Sequence, residues 1–575
     1  MLGLKKIKNG FIEIVKEHPV SVISMIISMI FWSMTVDYNS DSYAQCVAIF
    51  LTLFAVVVLP CEVYRLYKRK TDENYSFKNK KNLIVNGIII AVGTVLSFFT
   101  GVMFTYDSAV LAKKLGTDKL SLEVSSEYIY RITACFMIAA VCAALYLFMK
   151  KSGESFETYT AKAFCGLMKA ELVYLVIFTG LTMILGAFSA LIYELDFDIY
   201  AQVWVLLAGF VQFPCVLLGL SKTEDEISKF GKIMLNYVLT GLLAIAFAII
   251  YVYIVKVFVQ WTFPLYMVFG ILTALFGFGV FIWTMAQGIC EENMRKIFKY
   301  MPLLFIPCII MEIISLGRQI SIYGLTLARY AGIAAIVFEI AYFVLYIYNM
   351  KKEKNAMPVV FAIVIAVAYV SLLAPGINAY SAVIASHKGN VMKYLEGKTD
   401  AKAERKAKES YRTIIYSCGA VGEKFVDKKL TEEQKNVMLE LAGDKYEYES
   451  GSFYVCANRR EVDSFDISGG YEKLYIADIS FNCHDTMESD RPDGLYEYEV
   501  DCGGEMIGTV NLEAVVKKLI ELDKEEASAE ERDSVIDAPV DLIDGGKMII
   551  TYISVEYGED EGHIENIDAN GYAVK

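Results

Sequence analysis

Histidine is scarce in this chain of 575 residues: His18, His387, His484 and His563 are the only four, and none lies inside a long apolar run. That excludes a histidine proton relay or a histidine-ligated metal centre within those runs. Also missing are a Walker phosphate loop, an H-E-x-x-H pair and a G-x-S-x-G elbow. With them go the usual sequence signatures of nucleotide binding, zinc proteolysis and serine hydrolysis. The 12 cysteines include no C-x2-C pair. The eight in the apolar part read as space-fillers in helix packing. No cofactor or metal is expected, and an enzymatic role is disfavoured.

What the chain has in quantity is apolar sequence. Hydrophobic residues make up 55% of it, too many for a soluble protein of this length. The net charge of −13 conceals a split. Met1 to Ala385 carries 31 basic and 25 acidic residues, whereas Ser386 to Lys575 carries 23 and 42. A membrane part therefore precedes an acidic part, whose charge disfavours nucleic acid and anionic lipid as partners.

A helix needs about 20 apolar residues to cross the hydrocarbon core. Eleven runs qualify, near 19–36, 44–63, 83–105, 128–149, 167–192, 199–220, 233–258, 266–289, 302–317, 325–348 and 357–378. The weakest is 302–317, short and carrying Pro307 and Glu312. Lys5, Lys6, Lys8 and Lys16 precede the first run, as in a signal peptide, but its length and the ten runs that follow favour an uncleaved span. With the N-terminus cytoplasmic, alternate flanks hold 23 basic residues on the inner side and 5 on the outer. The positive-inside rule accepts that arrangement, and an odd number of spans then places the tail outside. Pro214 and Pro307 are compatible with the broken helices of transporters.

Between the ninth and tenth runs lies SLGRQISIYGLTLARYAG, Ser315 to Gly332. Gly317 to Thr326 reads as an outer hairpin turn, with Gly324 free to adopt a backbone shape other residues resist. Tyr323 and Tyr330 suit the membrane interface, and Arg329 can snorkel to the headgroups as an anchor. Glu312 and Glu339 lie deeper, where a carboxylate normally faces a bundle interior and has a partner. Arg329 cannot reach Glu339 along one helix, since ten residues span about 15 Å. A pairing of Arg329 or Arg318 with Glu312 across the hairpin is the alternative to a purely interfacial role. Arg318, Tyr323, Arg329, Glu312 and Glu339 are thus the candidate membrane polar site. Glu171, beside Lys169, and Arg131 read as interfacial.

In the tail, Ser386 to Tyr416 is rich in charge and helix formers and reads as a stalk continuing the last span; Thr431 to Ala442 reads as a second helix. KYEYESGSFYVCANR, EKLYIADISF, GLYEYEV and KMIITYISVEYGED then change to strand-like patterns between glycine turns. A helix with Asn511 as N-cap lies among them. The acidic close, GEDEGHIENIDANG, reads as a mobile segment. Cys418, Cys456, Cys483 and Cys502 allow three disulfide pairings in an oxidising compartment. Asn482-Cys483-His484-Asp485 reads as a surface loop, because neighbours on a strand face opposite ways. The acidic residues around Asp560 lack calcium-loop spacing and read as a solvated run.

R-x4-Y-G-L-T-x2-R-Y, Arg318 to Tyr330, resembles a motif of a bacterial multi-spanning family, domain of unknown function 4153. PGINAYSAVIASHKGNVMKYL, Pro375 to Leu395, resembles that family's exit from its last membrane helix, with His387 where Gln is usual and Lys393-Tyr394-Leu395 in place of Arg-Leu. DISGGYEKLY, Asp466 to Tyr475, is similar to a turn in the family's tail, with one extra glycine. The resemblance implies a polytopic membrane protein with an appended domain, and no activity.

The fold expected is mainly α. A polytopic bundle of about eleven spans over 1–385 leads into a helical stalk at 386–416 and a soluble, extracytoplasmic α+β domain at 417–575. The function favoured is a non-enzymatic cell-envelope protein in the plasma membrane. Its outer domain would contact an extracytoplasmic protein, a wall component or a small-molecule ligand, and its bundle the lipid bilayer. The alternatives are a secondary transporter or channel using Glu312, Glu339 and Arg329, and an intramembrane transferase acting on lipid.

Overall fold

The computed structural model describes residues 2–36, 42–72, 80–193, 195–221, 227–260, 267–290, 292–352, 355–397, 401–442, 453–458, 474–482, 497–502, 505–524, 527–543, 545–557 and 564–574. It divides into two compact units, Met1–Ala442 and Gly443–Lys575.

The first unit is helical: α1 (Leu2–Glu17), α2 (Pro19–Ser33), α3 (Ser42–Thr71), α4 (Lys80–Thr105), α5 (Ser108–Leu115), α6 (Lys119–Ser152), α7 (Phe156–Leu191), α8 (Phe197–Leu207) and α9 (Phe213–Ser221). Then come α10 (Lys229–Ile233), α11 (Thr240–Gln260), α12 (Met267–Ile289), α13 (Glu292–Phe298), α14 (Ile306–Tyr323), α15 (Leu327–Met350) and α16 (Val360–Leu372). A helical cap of α17 (Ala379–Leu395), α18 (Ala401–Arg412), α19 (Cys418–Lys429) and α20 (Glu432–Ala442) completes it. Among the described residues, nine helical stretches are long and apolar enough to cross a membrane, ten if the bent pair Gly10–Glu17 and Pro19–Ser33 counts as one. Met357–Leu372 is a shorter apolar helix. Continuous apolar sequence becomes helix here because lipid offers backbone groups no partner.

Side-chain contacts tie the helix ends into two clusters at opposite ends of the bundle. At one, Lys151 of α6 meets Glu17 of α1 at 3.0 Å. There too Asn355 donates to Glu157 of α7 at 2.7 Å, and Lys299 donates to the Met350 carbonyl at 3.2 Å. At the other, Glu127 near the start of α6 accepts from the Ala420 amide at 3.0 Å. Arg131 there lies over the Tyr380 ring at 4.4 Å, and Tyr330 donates to the Ile377 carbonyl at 2.6 Å. The short stretch from Asn355 to Ile377 therefore connects the two ends. The cap sits at the end opposite Lys151 and Lys299.

Two boundaries differ from the sequence expectation. The hairpin turn is only Gly324-Leu325-Thr326, because nothing in Arg318 to Tyr323 stops a helix; Arg318 thus lies within α14 and Arg329 in the first turn of α15. Nor does the stalk continue the last span. The chain turns at Gly376 (φ 77°), and Asn378 caps α17 by accepting from the Ser381 amide at 3.0 Å. The following helices fold back on α17 through Val383, Val391, Ala407, Tyr411, Ile414 and Met438.

The second unit is an antiparallel sheet of β1 (Phe453–Asn458), β2 (Leu474–Asn482), β3 (Glu497–Cys502), β4 (Glu505–Asn511), β5 (Val540–Asp541), β6 (Lys547–Tyr557) and β7 (Ile564–Val574). Its order is β1-β6-β7-β2-β3-β4, with β5 on β6. Helix α21 (Glu513–Lys524) packs Val516 and Leu519 into the same core as Val455, Val500, Ile553 and Ile567; a short α22 (Ala529–Asp533) follows. Asn511 accepts from the Glu513 amide at 3.0 Å, the capping role expected of it. The acidic close is not a mobile segment where it is described: Ile564–Val574 is the strand between β6 and β2. Its period of two, with Ile567, Ala569 and Ala573 buried, outweighs the charges between them.

Candidate functional site

The candidates fall at two depths. Glu312 and Glu339 lie on the two arms of the α14–α15 hairpin, each about 18 Å below the turn. Shortening the turn to three residues brings them level. They are 0% and 1% exposed. The two carboxyls act on one another, and the Thr273 hydroxyl of α12 donates to Glu312 Oε1 at 3.2 Å. Glu312 Oε2 and both oxygens of Glu339 have no hydrogen-bond partner among the described residues, where no basic side chain acts on either group. One turn away along the arms, Cys308, Leu316, Ile336 and Phe343 join Leu272 and Phe276 of α12 in a closed apolar cluster. Two full negative charges in such a setting are unfavourable by several kcal/mol each.

The arginines do not join this pair. Arg329 Nη1 donates to the Gly324 carbonyl at 3.0 Å, while Thr326 caps α15 by accepting from the Arg329 amide at 3.3 Å. Arg318 is exposed on α14. Tyr323 is the last residue of α14, and its side chain lies outside the described ones. Glu171 accepts from Gln212 at 3.4 Å.

The turn is instead the centre of a joint with the cap. Gly324 has φ 78° and ψ −175°, a conformation open essentially to glycine. A Cβ there would stand 2.7 Å from the His387 ring. His387 Nε2 donates to the Leu325 carbonyl at 3.0 Å, Ser410 donates to Nδ1 at 3.0 Å, and Asn390 donates to Ser410 at 2.9 Å. Neutral imidazole with its proton on Nε2 completes this chain. Two stretches singled out in the sequence thus meet, Gly324 from Arg318 to Tyr330 and His387 from Pro375 to Leu395.

Burial, helped by Arg329, holds His387 below its usual 6.5, against the opposing pull of the Leu325 carbonyl and Glu409. Unfolded His387 takes up a proton first as acid is added. The joint's contribution is therefore full above 6.5 and declines as pH falls through that value towards the folded one. The protection factors of α17 and α18, which remove the intrinsic pH dependence of amide exchange, are expected to fall between about pH 7.5 and 5 in the wild type and to lose that dependence in His387→Gln. An unchanged profile in the variant would disprove the role.

A further polar cluster escaped the sequence reading. Pro19 disfavours helix at His18, so α1 stops at Glu17 and α2 restarts after a bend of 104°. Glu62 of α3 caps the new N-terminus, accepting from the Val20 amide at 2.9 Å and the Ser21 hydroxyl at 2.7 Å. Arg65 donates to the Glu17 carbonyl at 2.8 Å. A buried His18 rests against Phe148, its ring centroids 5.7 Å apart. The only local hint was Pro following His18 with a lone Glu late in an apolar run.

Cys418 is a buried thiol pushed up to about 11 by burial, and Cys456 an exposed one on β1; neither is in a disulfide. The side chain of Cys502 lies outside the described ones, and Cys483, His484, Asp485 and Asp560 lie outside the described residues. So does most of Asp466 to Tyr475. Among the described residues no group of three His, Cys, Asp or Glu side chains is arranged to hold a metal ion. Compared with protein-family models, curated proteins and solved structures, the chain matches none.

Proposed function

We propose that this is a non-enzymatic plasma-membrane protein of a bacterial envelope. Eleven crossings deliver its C-terminal α+β domain to the outer side, where it binds a protein, a wall component or a small molecule. The eleven are the nine long apolar helical stretches, the bent pair at His18 and the short helix Met357–Leu372. Lys151 and Lys299 at one end and the cap at the other support a cytoplasmic N-terminus. The resemblance to domain of unknown function 4153 belongs to this proposal and adds an architecture without an activity.

The observation that carries a binding role over a channel is the closed packing around Glu312 and Glu339, at 0% and 1% exposure. A transport site would face water from one side. A compartment-sensitive reporter fused after Lys575 tests the reading, with an outer signal expected; a cytoplasmic signal would overturn it. The second reading is a proton-coupled transporter caught closed, favoured by the partnerless oxygens of the carboxyl pair.

A further inference from the structure

We propose that Glu312 and Glu339 form a proton-binding site within the bundle, taking up protons rather than a metal cation. This rests on the membrane reading above and not on what the C-terminal domain binds.

The argument begins with charge. Three carboxyl oxygens are buried without a hydrogen-bond partner among the described residues. A third group, Thr273 of α12, supplies one hydroxyl at 3.2 Å. Among the described residues Cys308 also acts there, and nothing basic does. Ionised carboxylates so placed would repel each other across apolar surroundings. A proton on one gives it a donor that the other can accept, which removes one charge and satisfies an orphan oxygen at once. A second proton removes the remaining charge.

A metal ion fits less well. Hard cations take six or more oxygen ligands at short range. Among the described residues the side-chain oxygens shown in contact are the four of the carboxyls and that of Thr273, and the neighbouring turns offer Leu272, Phe276, Leu316, Ile336 and Phe343. The uptake step is simple: an O–H bond forms on a carboxylate oxygen and no other bond changes. The placement also gives the proton a lever. Glu312 and Glu339 sit on opposite arms of one hairpin, whose turn holds the cap through His387, so repulsion after proton loss would push α14 and α15 apart.

The test uses the full chain in phospholipid nanodiscs. Infrared spectra at neutral pH are expected to show the carbonyl band of a protonated carboxylic acid, diminished in Glu339→Gln and in Glu312→Gln. If a variant fails to fold, wild-type protein suffices: an apolar carbodiimide, which attacks protonated carboxyls, should modify Glu312 or Glu339. Its yield should fall about tenfold per pH unit once the pair ionises, and sodium chloride should leave it unchanged. Absence of both the band and the modification would overturn the proposal; protection by sodium would overturn it in favour of a metal site. Either failure leaves the reporter result at Lys575 intact, and an inward reporter leaves the proton site intact.

Discussion

Gly324→Val is expected to detach the helical cap from the bundle. The substitution meets two obstacles together. Valine resists the backbone shape at φ 78° and ψ −175°, and its Cβ would press on the His387 ring 2.7 Å away. Strain and overpacking together amount to about 2–4 kcal/mol. The turn can escape only by moving, which breaks the hydrogen bond from His387 to the Leu325 carbonyl. Limited proteolysis should then cut between α16 and α20 at least tenfold faster than in the wild type, with the spans still resistant. His387→Ala in the same background should restore part of the resistance by vacating the space. Equal cleavage rates for Gly324→Val and wild type would show that the cap is held by other contacts.

Gly571→Val is expected to unfold the C-terminal unit. Gly571 lies in the interior of β7, where a Cβ would overlap the Ile549 carbonyl oxygen of β6. That neighbour is backbone, held in the β6–β7 ladder beside a bulge between Ile550 and Tyr552. It cannot rotate aside as a side chain can. The cost is on the order of 3–5 kcal/mol, a large share of what holds a small domain together. Loss of protease resistance in 443–575, with the membrane helices unaffected, is the expected readout. A variant unfolding at the wild-type denaturant concentration would refute this placement of β7.

The two substitutions also mark where sequence reading succeeds and where it stops. Glycine in Tyr323-Gly324-Leu325-Thr326 is recognisable as a turn residue because it acts within a few residues of itself. Glycine at Gly571 carries no such mark. It sits in an acidic stretch whose alternation of Ile567, Ala569 and Ala573 is hidden by the charges between them, and its necessity comes from a strand 22 residues away in the pairing Ile549↔Tyr572 and Ile550↔Gly571. Asn511 was legible as a cap for the same local reason. The elbow at His18 was not, since Glu62 reaches it from another helix.

The carboxyl pair shows the division most plainly. Glu312 and Glu339 stand out in the sequence because an acid within an apolar run is rarely tolerated without a purpose. Counted along the chain alone, with the turn drawn from Gly317, they fall at unequal depths, and Arg318 and Arg329 are the nearby basic groups. A loop seven residues shorter and a correspondingly longer α14 bring them level, and Arg329 turns to the Gly324 carbonyl instead.

Sequence alone determined the apolar helices, the change to an acidic α+β tail and two of the buried acids, Glu312 and Glu339. Those properties follow from transfer between water and lipid, which each segment experiences by itself. Only the tertiary structure decided which acids meet, where the cap docks and which strand becomes central, because those depend on registers between segments far apart in the chain, and no segment carries the coordinates of its partner.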